Sequence, residues 1–257
     1  MSILNHLQSN QPEISVIIPA YNEEQYIGRS LEALAKNHPG LTTEVLVIDN
    51  ASLDNTGKIA AKYGAKVIRE STKGVSYARQ TGLDAAKGKI LIWTDADSLV
   101  GKNWIYGHRQ SFEDEEVLAQ SALIRFDETL HWSFKTYTFV GNQVKRIIGY
   151  QTGGPLCTGG ANMSFRKNAA DSVGGFELGS DAGEDQILFG KLRRFGRVNI
   201  NEDKELEILT SGRRWSSGSR TYIHMRNILQ KFNRIGITKG VTELEKIENN
   251  RKFEDFR

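Results

Sequence analysis

The sequence predicts an α/β domain built on a mostly parallel, right-handed sheet flanked by helices, with a less regular second half. Over the first ~100 residues, apolar strand-like runs alternate with segments of helical periodicity, which calls for parallel strands joined by right-handed crossovers. The runs are continuous rather than alternating, as strands covered on both faces should be. Several of them end on a conspicuous group: Pro19 with its acidic loop, Asp49, and Asp95 with Asp97. A parallel sheet would gather those groups on one edge, where open α/β sheets bind ligands.

The first strand runs from Glu13 to Pro19, rich in β-branched residues, and is followed by the polar loop Ala20-Tyr21-Asn22-Glu23-Glu24. Ile27, Leu31, Leu34 and Ala35 recur at helical spacing, and Pro39-Gly40 ends that helix. Val45 to Ile48 form a second strand that runs into Asp49. The turn Asn50 to Thr56 starts a helix to about Tyr63, with Gly64 as its C-cap. Lys66 to Arg69 is a short third strand. Gly74 to about Lys87 is helical, with Tyr77, Ala78, Thr81, Gly82 and Ala85 on its inner face.

Lys89 to Ser98 organises the rest. Ile90-Leu91-Ile92-Trp93 reads as a buried strand, and Asp95 and Asp97 follow it. Asp is a poor strand former and costly to desolvate, so both carboxylates belong just past the strand end. Two carboxylates one residue apart suit a hard divalent cation that keeps its other sites for water and phosphate. An Asp-rich turn is the plainer alternative. Beyond it, 103–115 reads as a helix and 117–124 as a strand. Residues 131–150 form an aromatic-rich, amphipathic segment whose Trp132, Phe134, Tyr137 and Phe139 read first as packing residues. Gly153-Gly154-Pro155 breaks it. Thr158 to Asn162 is a flexible loop leading into a short strand at Met163 to Arg166. Glu184 and Asp185 form the acidic first turn of a helix that stops at Gly196, and Val198 to Ile200 is strand material. The tail from Glu243 is charged and reads as a mobile helix.

Composition limits the function classes. With 257 residues, 39% hydrophobic and 25% charged, the chain suits a globular enzyme and not a disordered segment. A net charge of +3 is too small to imply a nucleic-acid partner. The single cysteine, Cys157, rules out an intrachain disulfide and a cysteine-rich zinc site, and is consistent with a reducing compartment. Residues 1–11 lack an apolar signal-peptide core, and no run of about 18 to 20 apolar residues exists. The expected location is cytoplasmic. Residues 225–239 mix apolar and basic positions in a pattern that would suit peripheral contact with the inner membrane face, although a helix packed on the domain explains it more simply.

Taken in order, Ser15-Val16-Ile17-Ile18-Pro19-Ala20-Tyr21-Asn22-Glu23, Val47-Ile48-Asp49-Asn50-Ala51-Ser52, Lys73-Gly74 with Ala78-Arg79, Asp95-Ala96-Asp97 and Gly183-Glu184-Asp185 resemble the family 2 glycosyltransferases, from about Glu13 to Trp215. The resemblance implies a GT-A type, Rossmann-like fold and an inverting reaction. No convincing linker divides the chain, which reads as a single domain over 1–257: on the resemblance a nucleotide-sugar-binding half at about 13–100 and an acceptor-side half at about 101–215, followed by a helical, basic tail at about 216–257. On it, Pro19, Ala20, Tyr21 and Glu23 look like the nucleotide-binding first loop. Asp49 looks like the acceptor of the base N–H, usually uracil, and it could also cap the following helix. Lys73 and Arg79 lie in a segment that usually helps bind nucleotide, Asp95 resembles the residue near the ribose, and Asp97 the metal ligand. Asp185 matches the catalytic base. The Gly159 to Asn162 loop sits where acceptor or donor sugar is commonly met, and Arg213-Arg214-Trp215 is loosely similar to a late basic-aromatic signature.

These residue types suit the implied chemistry. A nucleotide-diphosphate leaving group needs its charge offset, and Mg²⁺ or Mn²⁺ held by Asp97 would do so. An acceptor hydroxyl is a weak nucleophile until a carboxylate such as Asp185 takes its proton. The partners implied are a nucleotide-sugar donor, with UDP favoured, and a glycan, lipid-linked or small-molecule acceptor. Glu184 and Asp185 also read as ordinary helix-start acids, Arg213 and Arg214 as a solvated turn, and His224 as structural before metal-binding. A nucleotidyltransferase would carry a Gly-rich basic loop after the first strand, and a dehydrogenase a G-x-G-x-x-G. The acidic loop found there argues against both. A silent nucleotide- or sugar-binding module is the remaining alternative, and the joint presence of Asp95, Asp97 and Asp185 argues against it.

Overall fold

A computed structural model describes residues 3–37, 42–127, 159–179 and 183–213. The expectations for Pro39-Gly40, the 131–150 segment, Gly153 to Thr158, Arg214-Trp215, His224, the 225–239 segment and the tail lie outside the described residues.

Along the first half, β1 (Ile14–Ala20), α1 (Ile27–Leu34), β2 (Thr43–Asn50), α2 (Thr56–Tyr63), β3 (Lys66–Glu70), α3 (Val75–Ala85) and β4 (Ile90–Thr94) alternate as expected. Then follow β5 (Ser98–Leu99), α4 (Trp104–Gln110), β6 (Val117–Ala122), β7 (Ile124–Phe126), β8 (Asn162–Arg166), α5 (Lys167–Ser172), α6 (Glu184–Leu192), β9 (Arg197–Asn201) and β10 (Ile208–Thr210). The main sheet has seven strands in the order β3-β2-β1-β4-β8-β6-β9. All neighbours are parallel except β8, which runs antiparallel to both β4 and β6. A second sheet of three strands, β5-β10-β7, stands beside it.

The continuous apolar runs have a direct cause. Val16 and Ile18 of β1, with Val45 and Val47 of β2, pack into one core layer with α1 and α2. Ile17, Leu46 and Ile48 point the other way, into a layer with α3 and α6. Both faces are dry, so no polar alternation remains. The second layer centres on Trp93, whose ring meets Phe165 edge-on at 5.3 Å and Phe176 at 5.6 Å. Gly64 adopts the left-handed conformation, φ 95°, and ends α2 as expected.

Several expectations need correction. The helix at 103–115 is confined to Trp104–Gln110. The strand expected at 117–124 is two strands in different sheets, broken at Leu123. The buried positions of α3 are Ser76, Ala78, Arg79, Gly82 and Leu83, so Tyr77, Thr81 and Ala85 sit at its flanks. Arg79 faces inward because carboxylates await it there, and Gly82 is required because a Cβ would lie 2.5 Å from Ile17 Cγ2. Among the described residues no helix is long and apolar enough to cross a membrane.

Candidate functional site

β2, β1 and β4 are adjacent and parallel, so their C-terminal ends bring Asp49, Ala20 and Asp95 to one edge of the sheet. The loops there are tied to each other. Asn22 N donates to Ser52 Oγ (3.0 Å), Leu53 N to Asn22 Oδ1 (2.8 Å) and Glu23 N to Thr56 Oγ1 (2.7 Å). Asn22 and Ala51 are held at φ 53° and 59°, sparsely populated for non-glycine residues. The first loop is therefore set by the second. Pro19 and Ala20 close β1, and Tyr21 stands half-buried at the rim, where Lys73 Nζ donates to its hydroxyl at 2.7 Å.

Asp49 lies within β2, one residue before its end, and not past it. Its Oδ1 accepts from Ser52 N (3.0 Å), and its Oδ2 is 3.5 Å from Arg69 Nη1. The carboxylate thus shapes the turn into α2, while the helix start itself is held by Asp54, whose Oδ1 accepts from Thr56 N.

Past β4 the two acids of the D-x-D turn face different partners. Asp95 is partly exposed, with Arg79 Nη2 3.8 Å from its Oδ1. The side chain of Asp97 is only 7% exposed; Oδ1 accepts from Thr210 Oγ1 at 3.2 Å and Oδ2 lies 3.3 Å from Arg213 Nη2. Arg213 also donates to both carboxylate oxygens of buried Glu23 and stacks on Tyr26, 3.9 Å from the ring centroid. Burial works against the guanidinium's charge, but Glu23, Tyr26 and Asp97 outweigh it and hold its pKa above the ordinary value.

On the other side of the turn, Arg79 is almost fully buried and bonds Glu184, the first residue of α6. A Cβ on Gly160 would fall within 2.4 Å of the Arg79 guanidinium, so only glycine allows that backbone to pass. Asp185 follows Glu184 in the first turn of α6, 7% exposed, with Oδ1 accepting from Gln186 N at 2.8 Å. Arg79 and Glu184 therefore connect Asp95 to the helix that carries Asp185. Lys73 stays with Tyr21 at the rim.

Asn162, expected in a flexible loop, is instead fully buried at the start of β8. Its Oδ1 accepts from Trp104 Nε1 and His108 Nε2, both at 2.9 Å. Its amide donates to Leu123 O and Leu206 O. A sugar contact through that side chain is not available. Thr210 and His108 carry no sequence signal of their own.

Residues 15–174 match the model described as Glycosyl transferase family 2. The chain belongs to that family. Its curated relatives include the glycosyltransferase AglE of Haloferax volcanii, 35% identical over 106 residues that cover 38% of this chain and 35% of AglE. Another is the poly(ribitol-phosphate) β-N-acetylglucosaminyltransferase TarS of Staphylococcus aureus, 34% identical over 97 residues, 35% of this chain and 17% of TarS. The chain spans about a third of the length of the first curated relatives it matches, 35% for AglE and 29% for the Bacillus subtilis protein YfnE. Among solved structures, a TarS fragment in complex with UDP-GlcNAc superposes with a TM-score of 0.61 at 22% identity, covering 77% of this chain and 58% of that one. The mannosyltransferase PcManGT of Pyrobaculum calidifontis, in complex with GDP-Man and Mn²⁺, gives 0.59 at 20% identity, covering 78% and 57%. At these identities the likeness shows the shared GT-A fold.

Asp95 and Asp97 are the residues of this family 2 chain that could hold a divalent cation. Asp97 offers hard oxygen beside a cavity of about 140 Å³, roomy enough for an ion with water, whose lining joins Asp97, Asp127, Thr210 and Ser211 to Tyr26, Arg29, Leu99 and Leu209. Among the described residues no group of three or more His, Cys, Asp or Glu forms a closed cage. A metal that takes one or two carboxylates and completes its shell with water and phosphate would need no such cage. A wider hollow of about 640 Å³ lies away from these acids, between the end of α4 and β6–β9, lined by Gln110, Glu113, Gln120, Asn199 and Glu202 among others.

Proposed function

We propose that this chain is the catalytic domain of a metal-dependent, inverting glycosyltransferase that moves a sugar from a nucleotide-diphosphate sugar to an acceptor hydroxyl. The observation that carries the reading is the gathering of Asp49, Asp95, Asp97 and the Asp185 helix start around the C-terminal edge of β1, β2 and β4 in a family 2 chain. Pro19, Ala20, Tyr21 and Glu23, with Lys73, frame the nucleotide. Asp49 accepts from the base, which favours uracil, and Asp95 stands by the ribose. Among the structural neighbours TarS was solved with UDP-GlcNAc and PcManGT with GDP-Man, so both bases belong in the test.

Asp97, with Asp95 beside it, would hold Mg²⁺ or Mn²⁺, which supplies Lewis-acid compensation of the diphosphate charge. Asp185 accepts the proton of the acceptor hydroxyl as its oxygen forms the new bond to C1. The C1–O bond to the diphosphate breaks on the opposite face, and the configuration inverts. Arg79 is a positioning residue, since its guanidinium is engaged by Glu184 and Asp95 inside the protein.

Thermal shift with UDP, GDP, dTDP and CMP, each with and without Mn²⁺, on the wild type and Asp97→Ala tests the reading. Binding to the native state raises stability by about 2.7 kcal/mol at a hundredfold excess over Kd. The expected result is a shift that needs one nucleotide and the metal and that vanishes in Asp97→Ala. No shift with any nucleotide overturns the reading, since the donor site would then be degenerate or not formed by this chain alone.

A further inference from the structure

Asp97, the carboxylate proposed for the metal, already faces a cation. Its Oδ2 lies 3.3 Å from Arg213 Nη2 and its Oδ1 takes Thr210 Oγ1. Both partners come from one short stretch, 210–213, at the end of β10. A divalent ion on a carboxylate oxygen sits about 2.1 Å from it. An ion there would bring a second positive charge to an oxygen that the Arg213 guanidinium already faces, while Glu23 shares the arginine's charge. Arg213 and a metal would therefore compete for Oδ2.

The guanidinium has several partners, of which Asp97 is one. It is anchored on both oxygens of Glu23, in the first loop of the proposed nucleotide site, and stacked on Tyr26. The cavity of about 140 Å³ opens beside Asp97 along Tyr26, Thr210 and Ser211. A diphosphate brought to the β1–α1 loop offers the planar, bidentate partner that a guanidinium prefers to a single carboxylate oxygen.

We infer that Arg213 is a placeholder on Asp97, released when a nucleoside diphosphate draws the guanidinium away, so that metal and nucleotide bind cooperatively. The inference rests on the proposed role of Asp97. Metal alone works against the Arg213 contact without compensation. Nucleotide with metal exchanges Arg213–carboxylate for Arg213–phosphate and frees Oδ2 in the same step. Linkage makes the effect reciprocal, and couplings of this kind are typically about 5- to 150-fold.

Mn²⁺ binding followed by loss of the free-ion EPR signal, with and without UDP or GDP and against protein-free controls, reads this without any turnover. In the wild type, Mn²⁺ alone should bind weakly and the nucleotide that binds should tighten it by about tenfold or more. In Arg213→Gln, Mn²⁺ alone should bind about tenfold tighter than in the wild type, and the nucleotide's effect should shrink to about threefold or less. Arg213→Met, which keeps an apolar side chain of similar reach beside Tyr26, gives the same result if the Gln variant folds poorly. Wild-type or weaker Mn²⁺ affinity in the folded variants, or an undiminished nucleotide effect, overturns the inference. Asp97→Asn separates the two readings: it should abolish Mn²⁺ binding, and if it binds Mn²⁺ like the wild type the metal role of Asp97 itself fails.

Discussion

Arg79 on α3 bonds Glu184, the neighbour of Asp185, across a stretch of backbone that only glycine at position 160 allows to pass. The same guanidinium stands 3.8 Å from Asp95. One buried cation therefore joins the D-x-D turn to the first turn of α6. Its charge is balanced from both sides, which is what lets an arginine point into the core layer.

Gly160→Ala tests this connection. The added methyl would press within 2.4 Å of a guanidinium that Glu184 holds in place. Overpacking of this kind costs about 1–3 kcal/mol. The larger effect falls on the site, because displaced Arg79 no longer fixes α6 against Asp95. Donor turnover should drop by about 10²-fold, the usual cost of a misplacement near 1 Å, while nucleotide affinity in thermal shift changes by less than about threefold. Equal losses in both would point to general disruption instead.

Asp185→Asn removes the proposed base and leaves its shape. Turnover should fall by about 10²–10⁴-fold, with nucleotide and metal binding intact. Near-normal turnover in this variant would exclude Asp185 as the base. A thermal melt checks that the change is chemical, since Asp185 makes a local bond to Gln186 N that an amide oxygen can replace.

The strands carrying the site are readable because their two dry faces leave continuous apolar runs. Val45 to Ile48 send alternate side chains into opposite core layers, and no loop sequence looks like that. Asp95 and Asp97 stand out for the complementary reason, being too costly to bury inside such a run. What holds them is not legible. Thr210 bonds Asp97 from 113 positions away, on a strand of three residues with no periodicity. Arg213 meets Glu23 across 190 positions, and nothing local marks the pair. Arg79 falls at a helical position that burial patterns assign to apolar residues, and its resemblance to a nucleotide-binding residue does not reveal its internal partners. Only the partners Glu184 and Asp95, supplied by the fold, explain why it turns inward.

Asn162 separates a structural glycine-loop residue from a sugar-binding one. Its side chain answers Trp104, His108, Leu123 O and Leu206 O, all within the protein. Asn162→Ala leaves these buried groups without partners, at about 1–3 kcal/mol each before relaxation. The urea midpoint should fall by an amount equivalent to about 3 kcal/mol or more, and the nucleotide-induced thermal shift should persist wherever the protein remains folded. Loss of nucleotide binding with unchanged stability would return Asn162 to the ligand site.

His108 makes the same network sensitive to acid. It is fully buried, and burial pushes its pKa down to about 4, against a weaker upward pull from the Asn162 hydrogen bond. Neutral His108 can donate from Nε2 to Asn162 Oδ1 (2.9 Å) while Nδ1 accepts from Ser164 Oγ (2.9 Å), with Gln120 Nε2 at 3.2 Å. In the unfolded chain the ring takes a proton near pH 6.5, but in the folded chain only near pH 4. The unfolded state therefore binds more protons between those values, and folding stability must fall as pH drops through that window. Above pH 6.5 the contribution is fully present. From pH 7 to 4.5 the loss attributable to His108 should be roughly 2–3 kcal/mol. Urea unfolding of the wild type and His108→Gln at both pH values measures it. The wild type should lose that much more than the variant, whose glutamine has no proton to take up. Parallel pH profiles for the two proteins would mean that the folded ring takes its proton at the same pH as the unfolded one, and that burial does not oppose its charge.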